Sequence, residues 1–360
     1  MLHKSVGLFI NSDTVSYHLS NLDYKVFTNC KDYRSLDEFI NSQHTVKLAV
    51  LQMPFPFEDS FQFQINKLKL VCKKIIILST ELHPPIVNFL KLNDDEKIVY
   101  YICGLLNFEL KKSVVYPFMD WFETSSFFYR KWLPEILTRL KPFEVKNQSF
   151  DILLGCKKLH RDVIYKYTRE RPGIGVVTYF NNMDTTFSMD PEHWIMESQG
   201  LRLQQPINWT VDQVQYYGHP ISLSQILPIA VYNQTAYSVV AETCWQDEFA
   251  FFTEKTSKPI IARRLFVMFA GKGYLRNLRK LGFKTFDSII DETYDDETDA
   301  LIRWRKAWEQ MVWLDQQPQK TILENIKPIV EHNFNVMMTD YWSNSFRQQL
   351  DLDFGYTIDD

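Results

Sequence analysis

The sequence predicts an α/β fold made of two successive units, each a parallel sheet covered by helices, followed by a helical tail. Two observations carry this reading. At 360 residues the chain is too long for one ordinary domain and suits two of about 150 residues each. Short β-branched runs alternate with stretches of helical spacing through the first third, and the same alternation restarts after a linker-like segment at 141–149.

The elements follow in order. Residues 46–53 (VKLAVLQM) read as a buried strand stopped by Pro54 and Pro56. Residues 60–72 carry Phe61, Ile65, Leu68 and Val71 at helical spacing, and 75–79 form a second buried strand. A helix over 86–92 and a strand over 98–103 continue the pattern, and 121–140 predict a long aromatic helix. In the second unit, 150–154 is a strand, Gly155 a turn, 160–167 a helix and 173–179 a strand. The polar stretch 181–218 has weak periodicity and predicts loops with short helices. Strands over 238–242 and 265–270 follow, and Gly271-Lys272-Gly273 turns into a helix over 274–281. Residues 301–314 predict an amphipathic helix burying Leu301, Trp304, Trp308 and Met311, and 321–350 are largely helical. The expected boundaries are 1–145, 146–330 and a tail, 331–360, folding back on the first unit.

Composition narrows the function. Apolar residues make up 45% and charged residues 23%, so each unit can bury a full core. The aromatic share of 15% fits aromatic-rich cores, with a ring-lined binding cleft as the alternative. A formal charge of −4 gives no basic footprint for a phosphate backbone, so a nucleic-acid partner is not indicated. No apolar run approaches the roughly 20 residues that span a bilayer, and the apolar part of the first ten residues is short for a signal peptide. Five cysteines without a CxxC pair speak against a zinc ribbon or a disulfide framework and for a reducing, cytoplasmic setting, the host cytoplasm if the chain is viral. The sequons at Asn147, Asn208 and Asn233 read as chance matches in that setting.

The chemistry-bearing segment begins where a buried strand runs into Glu242, placing a carboxylate at a strand's carboxyl end. There it would accept hydrogen bonds from ribose or sugar hydroxyls. Eleven residues on, Thr253 is a good N-cap for a helix opening with Glu254 and Lys255. Such a helix start, with a lysine beside it, suits a diphosphate; solvated first-turn charges are the other reading. Gly271 and Gly273, between strand and helix, would let backbone approach an anion, although the P-loop spacing is absent. Arg161, in the first turn after a strand and Gly155, could clamp a phosphate with its planar fork or pair with Asp162 or Glu170 at the surface. Residues 291–297 (DETYDDE) form an acidic cluster that reads as a solvated loop rather than a metal site, and no metal is expected. The Asp351-Leu-Asp353 pattern lies in the tail and is discounted.

The segment Glu242-Thr-Cys, with Phe251-Phe-Thr-Glu-Lys255, resembles the donor-binding motif of the family 10 glycosyltransferases, the α-1,3-fucosyltransferase group. The longer run 252–260, with Gly273-Tyr-Leu, Leu281-Gly-Phe-Lys-Thr-Phe286 and Asp291-Glu-Thr-Tyr-Asp295, also resembles glycosyltransferase-like proteins of bacteriophages. The resemblance spans roughly 150–296. It implies a GT-B fold, two Rossmann-like lobes facing a cleft, and an inverting, metal-independent transfer from a nucleotide sugar bound mainly to the second lobe. It implies donor-binding roles for Glu242, Glu254, Lys255 and Arg161. It also implies a catalytic glutamate in the first lobe after a central strand, for which Glu81 is nearest by position, with Asp120 and Glu123 behind it. The family's polar Asn-Ser is Thr243-Cys244 here, and its Tyr is Phe251, so the donor need not be GDP-fucose.

The expected function is therefore sugar transfer from a GDP- or UDP-sugar, bound as substrate with no resident cofactor, to a glycan or other hydroxyl acceptor. Two alternatives stay open: a catalytically inactive GT-B-like binding or accessory protein of a phage, and a glycosyltransferase acting on a DNA base. For the last, Lys272, Arg276, Arg279 and Lys280 form a local basic strip.

Overall fold

The computed structural model describes residues 6–13, 30–54, 58–132, 134–156, 158–180, 213–216, 219–222, 227–342, 345 and 348–353. Two compact units emerge, Met1–Asp120 with Asp340–Asp360, and Trp121–Thr339. The division falls at Asp120, before the linker-like 141–149, and the tail rejoins the first unit at Asp340 rather than at 331. Residues 141–149 lead into the first strand of the second sheet instead of separating the units.

The first unit is a six-stranded, wholly parallel sheet in which helices make the crossovers from β2 to β3, β3 to β4 and β4 to β5. In chain order it contains β1 (Val6–Ile10), β2 (Cys30–Tyr33), α1 (Leu36–Asn41), β3 (Val46–Gln52), α2 (Asp59–Val71), β4 (Lys74–Ser79), α3 (Pro84–Leu92), β5 (Ile98–Cys103), the two-residue β6 (Leu105–Leu106) and β7 (Val114–Phe118). The sheet order is β2-β1-β3-β4-β5-β7. Parallel central strands are covered on both faces, which is why β5 reads IVYYIC and is buried throughout. The chain leaves β1 for one side and returns to β3 on the other, so the sheet reverses between those strands. In sheets of this kind that reversal opens a crevice at the carboxyl ends. The tail is held to this unit where the Tyr101 hydroxyl donates to the Asp353 carboxylate. Asp353 thus has a structural partner, consistent with discounting the Asp351-Leu-Asp353 pattern.

The second unit opens with α4 (Asp120–Phe127, which begins on the last residue of the first unit), a π-helical turn over Phe128–Trp132, and α5 (Pro134–Leu137). The long helix expected over 121–140 is therefore broken. Pro134 has no backbone N–H and cannot continue a helix it does not start. Then come β8 (Gln148–Cys156), α6 (Leu159–Glu170), β9 (Gly175–Phe180), the antiparallel hairpin β10 (Gln213–Tyr216) and β11 (His219–Ser222), α7 (Ile229–Tyr232) and β12 (Thr235–Ala241). After β13 (Phe249–Ala250) come α8 (Glu254–Ile261), β14 (Phe266–Phe269), α9 (Tyr274–Lys280), α10 (Ala300–Asp315) and α11 (Gln319–Met337). The main sheet is parallel with order β14-β12-β8-β9, so it reverses between β8 and β12 and repeats the logic of the first unit. Most of 181–218, expected as loops and short helices, lies outside the described residues.

Two packing features anchor the second sheet. Arg264, 2% exposed, donates to Asp151 on β8 and to Ser238 and the Thr235 and Tyr237 carbonyls on β12, tying the amino ends of the strands together. Burial raises the Asp151 carboxyl, and the guanidinium opposes that shift. On α10 the buried stripe is Arg303, Trp304, Ala307, Met311 and Leu314, so the face is rotated from the expected one and Leu301 is exposed.

Candidate functional site

The carboxyl end of β12 leads directly to Glu242, which is fully buried. Its Oε2 accepts from Thr243 N at 2.9 Å and from the Thr253 hydroxyl at 2.7 Å. Its Oε1 accepts from Thr253 N at 3.2 Å, the Thr256 hydroxyl at 2.6 Å and the Tyr274 hydroxyl at 2.8 Å. An ionised carboxylate offers about four lone-pair sites, so these donors saturate it. The expectation that Glu242 accepts hydrogen bonds from a sugar or ribose is corrected here, because no acceptor capacity is left. Glu242 instead binds the strand end, the start of α8 and the first turn of α9 into one knot.

Cations gather around this knot from the residues that follow β8 and from the start of α8. Lys158 Nζ donates to the Thr243 carbonyl, and Lys255 Nζ reaches the Thr243 hydroxyl at 3.1 Å. Arg161 donates to the Ala241 and Glu242 carbonyls, both at 3.2 Å, and is 2% exposed. It therefore clasps the end of β12, and Asp162 accepts from the Tyr179 hydroxyl. Gly155 lies under the guanidinium; a Cβ there would stand 3.4 Å from Arg161 Nη1. Arg161 and Lys255 thus meet on the adjacent residues Glu242 and Thr243, at the carboxyl end where the sheet reverses.

His160 sits among these cations. It is fully buried, its ring lies 5.8 Å from that of Trp304, and its Nε2 is 2.8 Å from the Glu242 carbonyl. A carbonyl only accepts, so Nε2 carries the proton. Burial, with Arg161, Lys158 and Lys255 adding to it, pushes the imidazole down to about 3 and keeps it neutral.

The start of α8 holds both signs of charge. Thr253 caps the helix as expected, its hydroxyl oxygen accepting from Lys255 N at 3.3 Å. Glu254 is 9% exposed and pairs with Lys255 at 2.6 Å. Burial alone would raise its carboxyl, but Lys255 and Lys258 outweigh it and hold Glu254 below the usual carboxylate range. Burial also pushes the Lys258 ammonium down to about 8, against the pull of Glu254. The four cations Lys158, Arg161, Lys255 and Lys258 outnumber the two carboxylates, leaving the region electropositive. Glu254 lies at the helix start, where an exogenous anion would compete with it.

The expected cradle at Gly271 and Gly273 is filled from within. The Asp295 carboxylate accepts from Leu275 N at 2.9 Å and Arg276 N at 3.0 Å, so the first turn of α9 is already capped by an anion. The glycines meet other demands. A Cβ on Gly271 would come within 2.1 Å of the Gln246 carbonyl oxygen, and Gly273 has φ +74°. The acidic cluster that contains Asp295 also pairs with two of the four cations of the basic strip, Arg276 with Asp296 at 2.5 Å and Arg279 with Glu292 at 3.0 Å. Among the described residues no group of three His, Cys, Asp or Glu could hold a metal ion.

In the first unit, Glu81 follows β4 as expected and lines a cavity of about 500 Å³ with Asn11, Ser12, Gln52, Thr80 and His83. Ser79 fixes the local turn, its hydroxyl donating to the Glu81 carbonyl at 2.6 Å. Asp120 differs in character: burial pushes its carboxyl up to about 6.

Sequence reasoning missed Lys158, His160, Thr256, Lys258 and Tyr274. Two signals were available, since Lys158 and His160 adjoin Arg161 and Thr256 and Lys258 lie within the α8 run. Tyr274 lies in the Gly273-Tyr-Leu run of the resemblance, which gave it no role. Among the described residues no helix is long and apolar enough to cross a membrane. No protein-family model, curated protein or solved structure matches the chain.

Proposed function

We propose that the protein is a glycosyltransferase of the GT-B type that binds the diphosphate of a nucleotide sugar in the second unit and transfers the sugar to a hydroxyl acceptor. The observation that carries this is the gathering of Lys158, Arg161, Lys255 and Lys258 around Thr243 and the capped start of α8, at the reversal point of a parallel sheet. In transfer, the acceptor oxygen attacks the anomeric carbon, the bond to the diphosphate breaks, and negative charge grows on the leaving group. Cations fixed in a largely buried setting favour that charge without reorganising. Lys158 and Lys255 are part-exposed and so able to reach a ligand, whereas Arg161 is buried against the strand end. In this reading Glu242 and His160 position the site, and Glu254 yields the helix start to the diphosphate. The acceptor's proton passes to a carboxylate.

The reading is tested by thermal shift with GDP, UDP and their common sugar conjugates. A ligand that binds the folded state alone raises the melting temperature, by the equivalent of about 2.7 kcal/mol at a hundredfold excess over Kd. Stabilisation by one nucleoside diphosphate, lost in Lys255→Ala, is the expected result. No shift with any nucleotide would favour a binding protein without transferase activity.

A further inference from the structure

The cavity of the first unit has a chemistry unlike that of the electropositive region in the second. It occupies about 500 Å³ at the carboxyl ends of β1, β3 and β4, beside the point where the sheet reverses. That position and size are those of small-molecule sites in parallel sheets. Two features disfavour phosphate, with His83 as the one basic side chain of the lining among the described residues. No Lys or Arg lines the cavity among the described residues, whereas Glu81 brings a carboxylate. The helix that opens on it, α3, begins Pro84-Pro85, so its first two positions have no N–H to offer an anion.

The same lining suits hydroxyl groups. Asn11 fixes one wall before any ligand arrives, donating to the Gln52 carbonyl at 3.0 Å and accepting from Gln52 N at 2.7 Å. The Ser12 hydroxyl donates to Gln52 Oε1 at 2.8 Å, which orients the amide and leaves its NH₂ end for a ligand. The Glu81 carboxylate accepts hydroxyl protons, and the Thr80 hydroxyl both donates and accepts. Met53, Pro54 and Ile86 supply apolar surface for the C–H face of a ring.

We propose that this cavity binds an uncharged, hydroxyl-rich small molecule, a free sugar or polyol, and discriminates against its phosphate esters. The inference does not rest on the transferase reading.

Saturation-transfer NMR on the full chain tests it, with glucose, galactose, mannose and N-acetylglucosamine, each beside its 6-phosphate. At least one neutral sugar should bind in the millimolar range or tighter, with its ester at least tenfold weaker. Thr80→Trp, which fills the cavity, should cut the sugar signal at least fivefold while the circular dichroism spectrum is unchanged. Glu81→Lys should shift the preference toward the ester by at least tenfold, and it keeps the proposal testable if the tryptophan variant does not fold. Binding of none of the neutral sugars, esters that bind as well as their parents, or sugar binding that survives both substitutions overturns the proposal. UDP and GDP titrated in parallel separate the two readings, since their failure to bind removes the diphosphate site and leaves the sugar site standing.

Discussion

Replacing Glu242 by leucine removes the carboxylate on which the second unit's site is tied while leaving little cavity. The Thr253, Thr256 and Tyr274 hydroxyls can turn to other partners; Thr256 and Tyr274 already lie 2.8 Å apart, and Tyr274 is 3.3 Å from the Phe251 carbonyl. The peptide N–H groups of Thr243 and Thr253 cannot turn, and both lose their acceptor. A stranded buried donor costs about 1–3 kcal/mol; Thr253 is buried and Thr243 half-buried, so the two together cost about 3 kcal/mol. At roughly 2–4 °C per kcal/mol for a unit of this size, the melting transition of the second unit should fall by about 6–12 °C. Differential scanning calorimetry of wild type and Glu242→Leu without ligand reads this directly. If the variant melts within 2 °C of wild type, the carboxylate is not the internal knot described here, and its oxygens are free for a ligand after all.

Three further outcomes follow from the same geometry. The His160 imidazole titrates near 6.5 when unfolded and at about 3 when folded, so the unfolded state takes up the proton first and stability is lost as pH falls through that window. His160→Phe keeps the ring against Trp304 and removes this dependence, so its urea stability should gain on wild type by up to about 1.4 kcal/mol per pH unit below pH 6. Gly271→Ala should destabilise by about 3 kcal/mol in the same assay, because its methyl meets the rigid Gln246 carbonyl at 2.1 Å; a neutral effect would mean that the turn relaxes freely. Lys258 titrates at about 8, so it loses its charge as pH rises past that value, and diphosphate affinity should fall between pH 7 and 9. Calorimetry at pH 8 in buffers of different ionisation enthalpy should show net proton uptake on binding, and proton release would contradict the assignment.

Local signals carried most of the fold. The strand 98–103 is found residue for residue, and the helices of α2, α3, α6 and α9 lie within a few residues of expectation because their apolar spacing is regular. Edge strands were harder. The β2 sequence CKDY is short, polar and half exposed, so nothing in it marks a strand until β1 pairs with it. The inward face of α10 was misjudged because buried Arg303 occupies a core position through the Ala270 carbonyl and Asp247, which no hydrophobic pattern reveals.

The site was legible where it depends on chain-local chemistry. Thr253 as an N-cap and Glu242 at a strand end are both found in place. What the sequence concealed were partners distant along the chain. Arg161 was expected to hold a phosphate, yet it holds carbonyls 80 and 81 residues away. Gly271 and Gly273 were expected to cradle an anion, yet Asp295 fills the turn of helix they precede. In each case a feature suited to a ligand is satisfied by the protein itself, a distinction that spacing does not contain.

The central claim is that the cations around Thr243 and α8 hold a nucleoside diphosphate. Titration calorimetry of GDP and UDP into wild type and the Lys158→Ala/Lys255→Ala double variant tests it most directly. The account predicts measurable binding of one nucleotide to wild type and a loss of at least a hundredfold, about 2.7 kcal/mol, in the folded variant. Equal affinity in both proteins would contradict it.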